Sequence, residues 1–542
     1  MPTGAEALIR TLVDAGMTTC FTNPGTSEIH FVAALESVPE MRAVLTLFEG
    51  VATGAADGYA RMAERPGATL LHLGPGLGNG LANLHNARRA RVPVVNIVGD
   101  HATYHTQHDA PLQSDIETIA RNVSGWVRTT GDTEDLAGDA VDAITAAVGP
   151  PGQVATLIVP ADVSWQEGAQ AASPPRPSAP PAASGAVIEA AAGALRSGRR
   201  TGILLGGRAL RERGLLAAAR IAAATGTKLL AEMFPTRLER GAGLPPVERL
   251  LYWPELASAQ LDGTEHLILA GAKPPVSFFA YPGQKSSLVP DGCDVLELSP
   301  PTSDVVRCLE ELVEALGAAN AEPVLQQRSA PPQPDGPLTA AKVCQAVGAS
   351  LPEGAIVSDE AITSGAALPP NTEGAPRHDW LTLTGGAIGQ GLPVAVGAAV
   401  ACPDRPVIAL QADGSALYTI QSLWTMVREQ LNVTVVLFSN RAYGILDIEF
   451  ARIRADEPGG KAKAQLDLGN PDLDFVALGT GLGIASRRVD SAEQLTGALD
   501  QALTDAGPHL IEVVIPAEMP GPPIVGQAVR ASSGPLSRVG SR

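Results

Sequence analysis

Short apolar runs recur along this chain, and few of them alternate apolar with polar at every second position. Residues 1–165 contain AVLTLF (43–48), ATLLHL (68–73), VPVVNIV (92–98) and VATLIVP (154–160). TGILLGG (201–207), TKLLAE (227–232), HLILAG (266–271) and DVLELS (294–299) follow in residues 188–317. AIVSDE (355–360), WLTLTG (380–385), PVIALQA (406–412), VTVVLFS (433–439) and HLIEVVI (509–515) occupy residues 339–518. A strand with one wet face alternates, so continuous apolar runs predict strands covered on both faces. Ala- and Leu-rich helical stretches separate the runs, which predicts crossover connections and parallel strands. The expectation is an α/β protein of three doubly wound parallel-sheet domains, with ligands at the carboxyl ends of the strands.

Pro-, Ala- and Ser-rich segments at 166–187 and 318–338 read as linkers between those domains, and the Gly/Pro/Ser-rich residues 519–542 as a loose tail. The 542 residues exceed the usual size of one domain, and 45% hydrophobic content suffices for several cores. A formal charge of −18 disfavours nucleic acid and anionic membrane as partners. No apolar stretch is long enough to span a bilayer, and MPTGAEALIRTLVDAG lacks a signal peptide's charged start. The five cysteines are scattered without CxxC spacing, as expected of buried thiols in a reducing compartment. A cytoplasmic protein is expected.

Two stretches carry chemistry. In LTLFEGVATGAADGYARMA (45–63), Glu49 ends an apolar run just before a Gly/Ala-rich helix. A carboxylate buried there needs a partner, either backbone groups or a ligand. In IALQADGSALYTIQSLWTMVREQLNVTVVLFSNRAYGI (408–445), a strand delivers Asp413, Gly414 and Ser415 to the start of a helix. The next strand delivers Asn440 and the turn at Ala442. Asp413 as a simple helix cap is one reading. The other is a metal–diphosphate site, which Asn440 favours: Asp413, Asn440 and the Ala442 carbonyl supply hard oxygens for octahedral Mg²⁺, and Gly414 and Ser415 backbone N–H groups for phosphate.

An Asp-Gly pair, a gap of some twenty-five residues and an Asn resemble the diphosphate-binding motif of thiamine-diphosphate enzymes. Ala412 and Ser439 replace residues usual in that motif but leave the ligand positions intact. The resemblance implies a pyrimidine-binding domain (1–165), a central domain (188–317) and a diphosphate-binding domain (339–518). It implies thiamine diphosphate and Mg²⁺ as cofactors, and Glu49 as the acid that hydrogen-bonds the cofactor's aminopyrimidine. TGGAIGQGLPVAVG (384–397) resembles the loop that bends the cofactor: Gly386 would accept its amino group and Ile388 would wedge between its rings. Core packing is the alternative for Ile388. Thr363 would help to hold the diphosphate.

FTNPGTSEIHFV (21–32) and LLHLGPGLGNGLANL (70–84) resemble the substrate side of benzoylformate decarboxylase and acetolactate synthase. Thr26 and His72 stand where the decarboxylases place a catalytic Ser and His; an imidazole buried against a carbonyl is the alternative for His72. The Gly spacing 74-76-78-80 is not GxGxxG and excludes a dinucleotide loop. His101, His105 and His108 have spacing that suggests a metal, but the resemblance places a substrate loop there. Pro111-Leu112 is closer to the decarboxylases than the synthases' Phe-Gln. GAKPPVSFFAYPGQ (271–284) replaces the synthases' flavin segment, so FAD is not expected, and Phe278 and Phe279 stand near the decarboxylases' second His. The implied activity is decarboxylation of a 2-oxo acid with carboligation to an aldehyde or ketone, acetolactate synthase-like. A benzoylformate decarboxylase-like activity and a catalytically weak regulatory or scaffold paralogue are the alternatives. A homodimer or homotetramer is implied, with Glu49 of one chain facing Asp413 of another.

Overall fold

The computed structural model describes residues 1–173, 179–453 and 459–517. The expected tail at 519–542 and part of the first linker lie outside the described residues. Three sheets organise the described chain. The first has six parallel strands in the spatial order Arg42–Leu45, Thr19–Asn23, Gly67–Leu71, Val94–Asp100, Val154–Pro160, Trp126–Thr129. The second has five, in the order Glu248–Arg249, Lys228–Ala231, Thr201–Leu205, His266–Ala270, Asp294–Ser299. The third has seven: Ala485–Val489, His509–Val514, Val433–Ser439, Val407–Ala412, Ile356–Glu360, His378–Thr382 and Leu238–Arg240. All pairings are parallel except the last, where a segment from the middle of the chain runs antiparallel to His378–Thr382 and pairs Arg240 with His378.

Most continuous apolar runs became interior strands, as Val94–Asp100, Val154–Pro160 and Val433–Ser439 show: all but the terminal Asp100 are buried. DVLELS did not: Asp294–Ser299 is an edge strand of the second sheet, and only its last two residues are buried, because no strand among the described residues pairs its outer side. The run 43–48 behaves differently. Its strand stops at Leu45, Leu47 is 46% exposed, and Glu49 opens a helix rather than ending a strand. Trp126–Thr129 and Ala485–Val489 escaped the apolar pattern because they are edge strands with largely wet side chains. Thr19–Asn23 escaped it although it is buried, because Thr and Asn occupy three of its five positions.

The tightest helix contact joins the first and last thirds of the chain. Helix Glu49–Ala63 crosses Gly391–Ala401 with their backbones almost touching: a Cβ on Gly58 would lie 2.2 Å from the Val394 carbonyl oxygen, and one on Gly397 1.9 Å from that of Ala55. Arg61 and Asp57 form a fully buried double hydrogen bond of 2.7 and 2.6 Å beside this crossing. Arg61 also donates to the Thr382 carbonyl and the Thr384 hydroxyl, and Gln390 donates to Asp57. The Gly/Ala pattern of both helices permits this approach, and the buried ion pair satisfies itself by binding the neighbouring loop.

Candidate active site

Glu49 is 6% exposed at the first position of its helix, where the aligned peptide dipoles favour a carboxylate. Its Oε2 accepts a 3.0 Å hydrogen bond from the Asn79 side chain, and Oε1 lies over Gly76. Asn79 and Gly76 belong to helix Leu73–Ala90, whose preceding residue is His72. The imidazole of His72 does not seek a carbonyl. Its Nδ1 lies 2.7 Å from Oε2 of Glu28, a carboxylate that the sequence pattern offered no reason to single out. Glu28 is 3% exposed and also accepts from the Gly25 N–H and the Ser27 hydroxyl. Two glycines make room for this pair: a Cβ on Gly25 would strike the imidazole, and one on Gly99 would strike Glu28.

Thr26, Ser27, His72, Leu112, His101 and His105 line a cavity of about 280 Å³ together with Leu73, Tyr104 and Trp165. Thr26, His72 and Leu112, widely separated in sequence, therefore meet. Ser27, which the motif reading passed over, lies close to the imidazole, with its Oγ 3.4 Å from Nδ1. The rings of His101, His105 and His108 follow one another at 5.4 and 5.6 Å. Among the described residues no cluster of His, Cys, Asp and Glu has the arrangement of a metal site.

The second half of the site is built at the carboxyl ends of the third sheet. Asp413 is 2% exposed and forms no ion pair among the described residues. Its Oδ2 accepts from the Arg441 N–H at 2.6 Å and Oδ1 from the Gly414 N–H at 2.8 Å, so the Gly414 N–H is engaged by Asp413 itself. Burial pushes the Asp413 carboxyl up, and the backbone N–H groups of Arg441 and Gly414 oppose that rise. A buried carboxylate without a cationic partner suits a bound cation. Asn440 Oδ1 accepts from the Ala442 N–H at 3.0 Å. Thr363 and Asn440 face one another across Gly444: a Cβ on that glycine would lie 3.1 Å from Thr363 Oγ1 and 3.6 Å from Asn440 Nδ2. Ser415 is buried, its hydroxyl donating to the Ala412 carbonyl, so only its backbone N–H is available to a ligand.

Between the halves runs the loop 384–391. His85 Nε2 lies 3.1 Å from the Gly385 carbonyl; Asn86 donates to the Ala387 carbonyl at 2.8 Å and accepts from the Ala387 N–H at 3.2 Å. Asn83 donates to both the Gly50 and the Gly389 carbonyls. Among the described residues the Gly386 carbonyl accepts no hydrogen bond. Gly386 has φ of +77°, and a Cβ there would come within 2.5 Å of the Phe278 ring. Phe278 therefore sits on this loop, packed with Phe234, Tyr252 and Phe279 at centroid distances of 5.8, 5.2 and 4.8 Å. Asp413, Asn440, Thr363 and an unbonded Gly386 carbonyl form a donor set that fits a cation and a diphosphate-bearing cofactor.

Residues 2–120 match the family model "Thiamine pyrophosphate enzyme, N-terminal TPP binding domain", and residues 370–513 the corresponding C-terminal TPP binding domain. A Mycobacterium tuberculosis protein named "Putative acetolactate synthase large subunit IlvX" is 58% identical over 95% of this chain and 99% of its own. Benzoylformate decarboxylase of Pseudomonas aeruginosa is 30% identical over 92% of this chain and 96% of its own. The solved structure of the thiamine diphosphate-dependent 4-hydroxybenzoylformate decarboxylase of Rhodococcus jostii RHA1 superposes with a TM-score of 0.83. It is 26% identical and covers 95% of this chain and 100% of that one. With two matched cofactor-binding domains and a relative of this identity over nearly its full length, the chain belongs to the thiamine-diphosphate-dependent enzymes, in their acetolactate synthase-like and benzoylformate decarboxylase-like group.

Proposed function

We propose that this protein decarboxylates a 2-oxo acid and joins the remaining fragment to a second carbonyl compound, using thiamine diphosphate and Mg²⁺. The observation that carries the reading is the pairing of a buried Asp413, without an ion-pair partner among the described residues, beside Asn440 and Thr363 with a loop in which the Gly386 carbonyl accepts no hydrogen bond among the described residues. When bound, thiamine diphosphate supplies a carbon acid that adds to the oxo group and takes up the electron pair left by carbon dioxide. Asp413, Asn440 and the Ala442 carbonyl hold the cation; Thr363 and the Ser415 N–H take phosphate oxygens. The Gly386 carbonyl accepts the amino group of the pyrimidine, and Ile388 gives the rings an apolar support. Glu49, dry and held by Asn79, hydrogen-bonds a ring nitrogen of the aminopyrimidine and exchanges a proton with it.

On the substrate side, Glu28 orients the His72 imidazole, leaving Nε2 to give or take a proton in the cavity. Thr26 offers a hydroxyl at the cavity wall, and Leu112, Phe278 and Phe279 shape the apolar face of the substrate side. Release of an aldehyde is the second reading, favoured by the Glu28–His72 pair because a well-oriented imidazole can protonate the product carbon. The chain works without flavin in this reading: segment 271–284 places Phe278 against the cofactor loop, and a colourless preparation without flavin absorbance is expected. No helix among the described residues is long and apolar enough to cross a membrane, and the reading places the enzyme in the cytoplasm. Incubating the cofactor-loaded protein with a panel of 2-oxo acids and aldehydes, followed by mass spectrometry, tests the proposal. Hydroxy-ketone or hydroxy-acid products are expected; aldehydes alone would select the second reading, and no turnover of any 2-oxo acid would refute both.

A further inference from the structure

One fully buried carboxyl near the loop has no part in the chemistry above. Glu360 ends the strand Ile356–Glu360 and is 1% exposed. Its Oε1 accepts the Gly389 N–H at 2.6 Å, and its Oε2 accepts the Gly391 N–H. These peptides lie on either side of Gln390 and directly follow Ile388. Among the described residues no cationic side chain pairs with Glu360, so it is not a buried ion pair retained for Coulombic reasons. Resting on the proposed function, we propose that Glu360 is the positioning residue of the cofactor loop, gripping the Gly389 and Gly391 N–H groups so that Ile388 and the Gly386 carbonyl are held for the cofactor.

A second observation ties the grip to the diphosphate half of the site. Gln411 donates through Nε2 to Ser415 Oγ at 2.5 Å, and that hydroxyl donates to the Ala412 carbonyl at 3.1 Å. This leaves Gln411 Oε1 buried without a donor. It faces the same place as Glu360: a Cβ on Gly391 would lie 2.5 Å from Gln411 Oε1 and 2.9 Å from Glu360 Oε2. When neutral, Glu360 has the O–H donor that Gln411 Oε1 lacks, and its oxygens can still accept both N–H groups. Burial pushes the carboxyl up to about 7, opposed by the Gly391, Gly389 and Gln390 N–H groups and by the Gln411 side chain, which leaves a neutral acid at mildly acidic pH. The loop that carries Ile388 and the turn that follows Asp413 are then joined through Glu360, Gln411 and Ser415, with every donor directed one way. Asn86 clamps the same loop at Ala387 from the other side. The grip is thus two-sided, and the Gly386 carbonyl is left without a hydrogen bond among the described residues.

A carboxyl over the start of helix Gly391–Ala401 could instead serve only as a helix cap, stabilising the fold without bearing on the cofactor. The test separates the two roles. Wild type, Glu360→Gln and Glu360→Asp, each shown folded by far-UV circular dichroism, are titrated calorimetrically with thiamine diphosphate in excess Mg²⁺. Near-UV spectra of the loaded proteins are then compared. Gln presents one acceptor oxygen and Asp is one methylene short, so either variant secures one N–H instead of two. Cofactor affinity is expected to fall about tenfold or more, with an altered near-UV band of the bound cofactor and a lower kcat at unchanged KM. A lower melting temperature with affinity within about twofold of wild type and an unchanged spectrum would overturn the inference and leave Glu360 a cap. Should Glu360→Gln fail to fold, Glu360→Asp alone distinguishes the two roles by the same measurements. Absence of binding heat in wild type would instead refute the proposed function.

Discussion

Three buried carboxyls of this chain differ in what lies around them, and each is expected to answer differently to the same substitution. Glu49 has one neutral amide partner, Asn79, and a dry setting. Glu49→Gln should keep the fold, judged by circular dichroism, and abolish turnover, because an amide cannot exchange the proton; an unchanged rate would remove Glu49 from the chemistry. Glu28 has His72, the Gly25 N–H and the Ser27 hydroxyl. Glu28→Gln should lower kcat by roughly 10²-fold or more, the scale of a misplaced acid–base group, and His72→Ala in the Glu28→Gln background should add little, since both act through one imidazole. Glu360 has only N–H groups and Gln411. Its folded value, about 7, lies above its ordinary 4.5, so the stability it contributes is complete below about pH 4.5 and is lost as pH rises through 7. The full loss is about 3 kcal/mol, read as a falling denaturation midpoint of cofactor-free protein as pH rises from 4.5 to past 7. Glu360→Gln should flatten that slope.

At the scale of elements, the crossing of Glu49–Ala63 and Gly391–Ala401 fixes the first and last thirds of one chain against each other. Gly58→Ala places a methyl group where the Val394 carbonyl oxygen stands 2.2 Å away, so the helices must separate. A loss of about 1–3 kcal/mol or more is expected from such overpacking, measured by urea denaturation. Cofactor affinity should weaken with it, because Asn83 spans the Gly50 and Gly389 carbonyls across the same junction. The Gly/Ala composition of these helices was visible in the sequence, but their mutual contact was not. An Ala-rich helix buried on all sides has no apolar stripe to announce its partner. The strands show the converse: continuous apolar runs marked most of the interior ones, while edge strands such as Ala485–Val489, wet on most side chains, left little signal.

For the whole molecule the question is what completes the cavity around His72. All its lining residues come from 26–165, and none belongs to the diphosphate turn or loop 384–391. Exposed apolar side chains stand beside both halves of the site: Leu47 next to Glu49, and Leu417 and Tyr418 just after Ser415. With the proposed function, the expected assembly is a homodimer in which one chain's first domain faces the other chain's diphosphate-binding domain, with a tetramer as a pair of such dimers. Mixing inactive Glu49→Gln with inactive Asp413→Ala chains should then restore roughly a quarter of wild-type activity, since half the dimers would be hybrids with one of two sites intact. No recovery after verified subunit exchange would mean that each chain builds its own site. Asp413→Ala alone should bind thiamine diphosphate far more weakly in a calorimetric titration with Mg²⁺, because the diphosphate loses its counter-ion.

The parallel α/β class and most of the interior strands were readable from local pattern, because burial on two faces and helix starts write themselves into a few consecutive positions. So Glu49, Asp413 and Asn440 could be picked out one by one, without knowing what each would touch, while the loop at Gly386 was marked only by its resemblance to thiamine-diphosphate enzymes. Glu28 could not. Nothing in PGTSE distinguishes it from a surface glutamate until the fold brings His72, 44 residues away, to 2.7 Å and two glycines clear the space. Glu360 and Gln411 were equally silent, since a strand-end carboxylate looks the same whether it meets water or two peptide N–H groups. Those roles depend on partners distant in sequence, and a buried polar group takes its meaning from the groups that satisfy it.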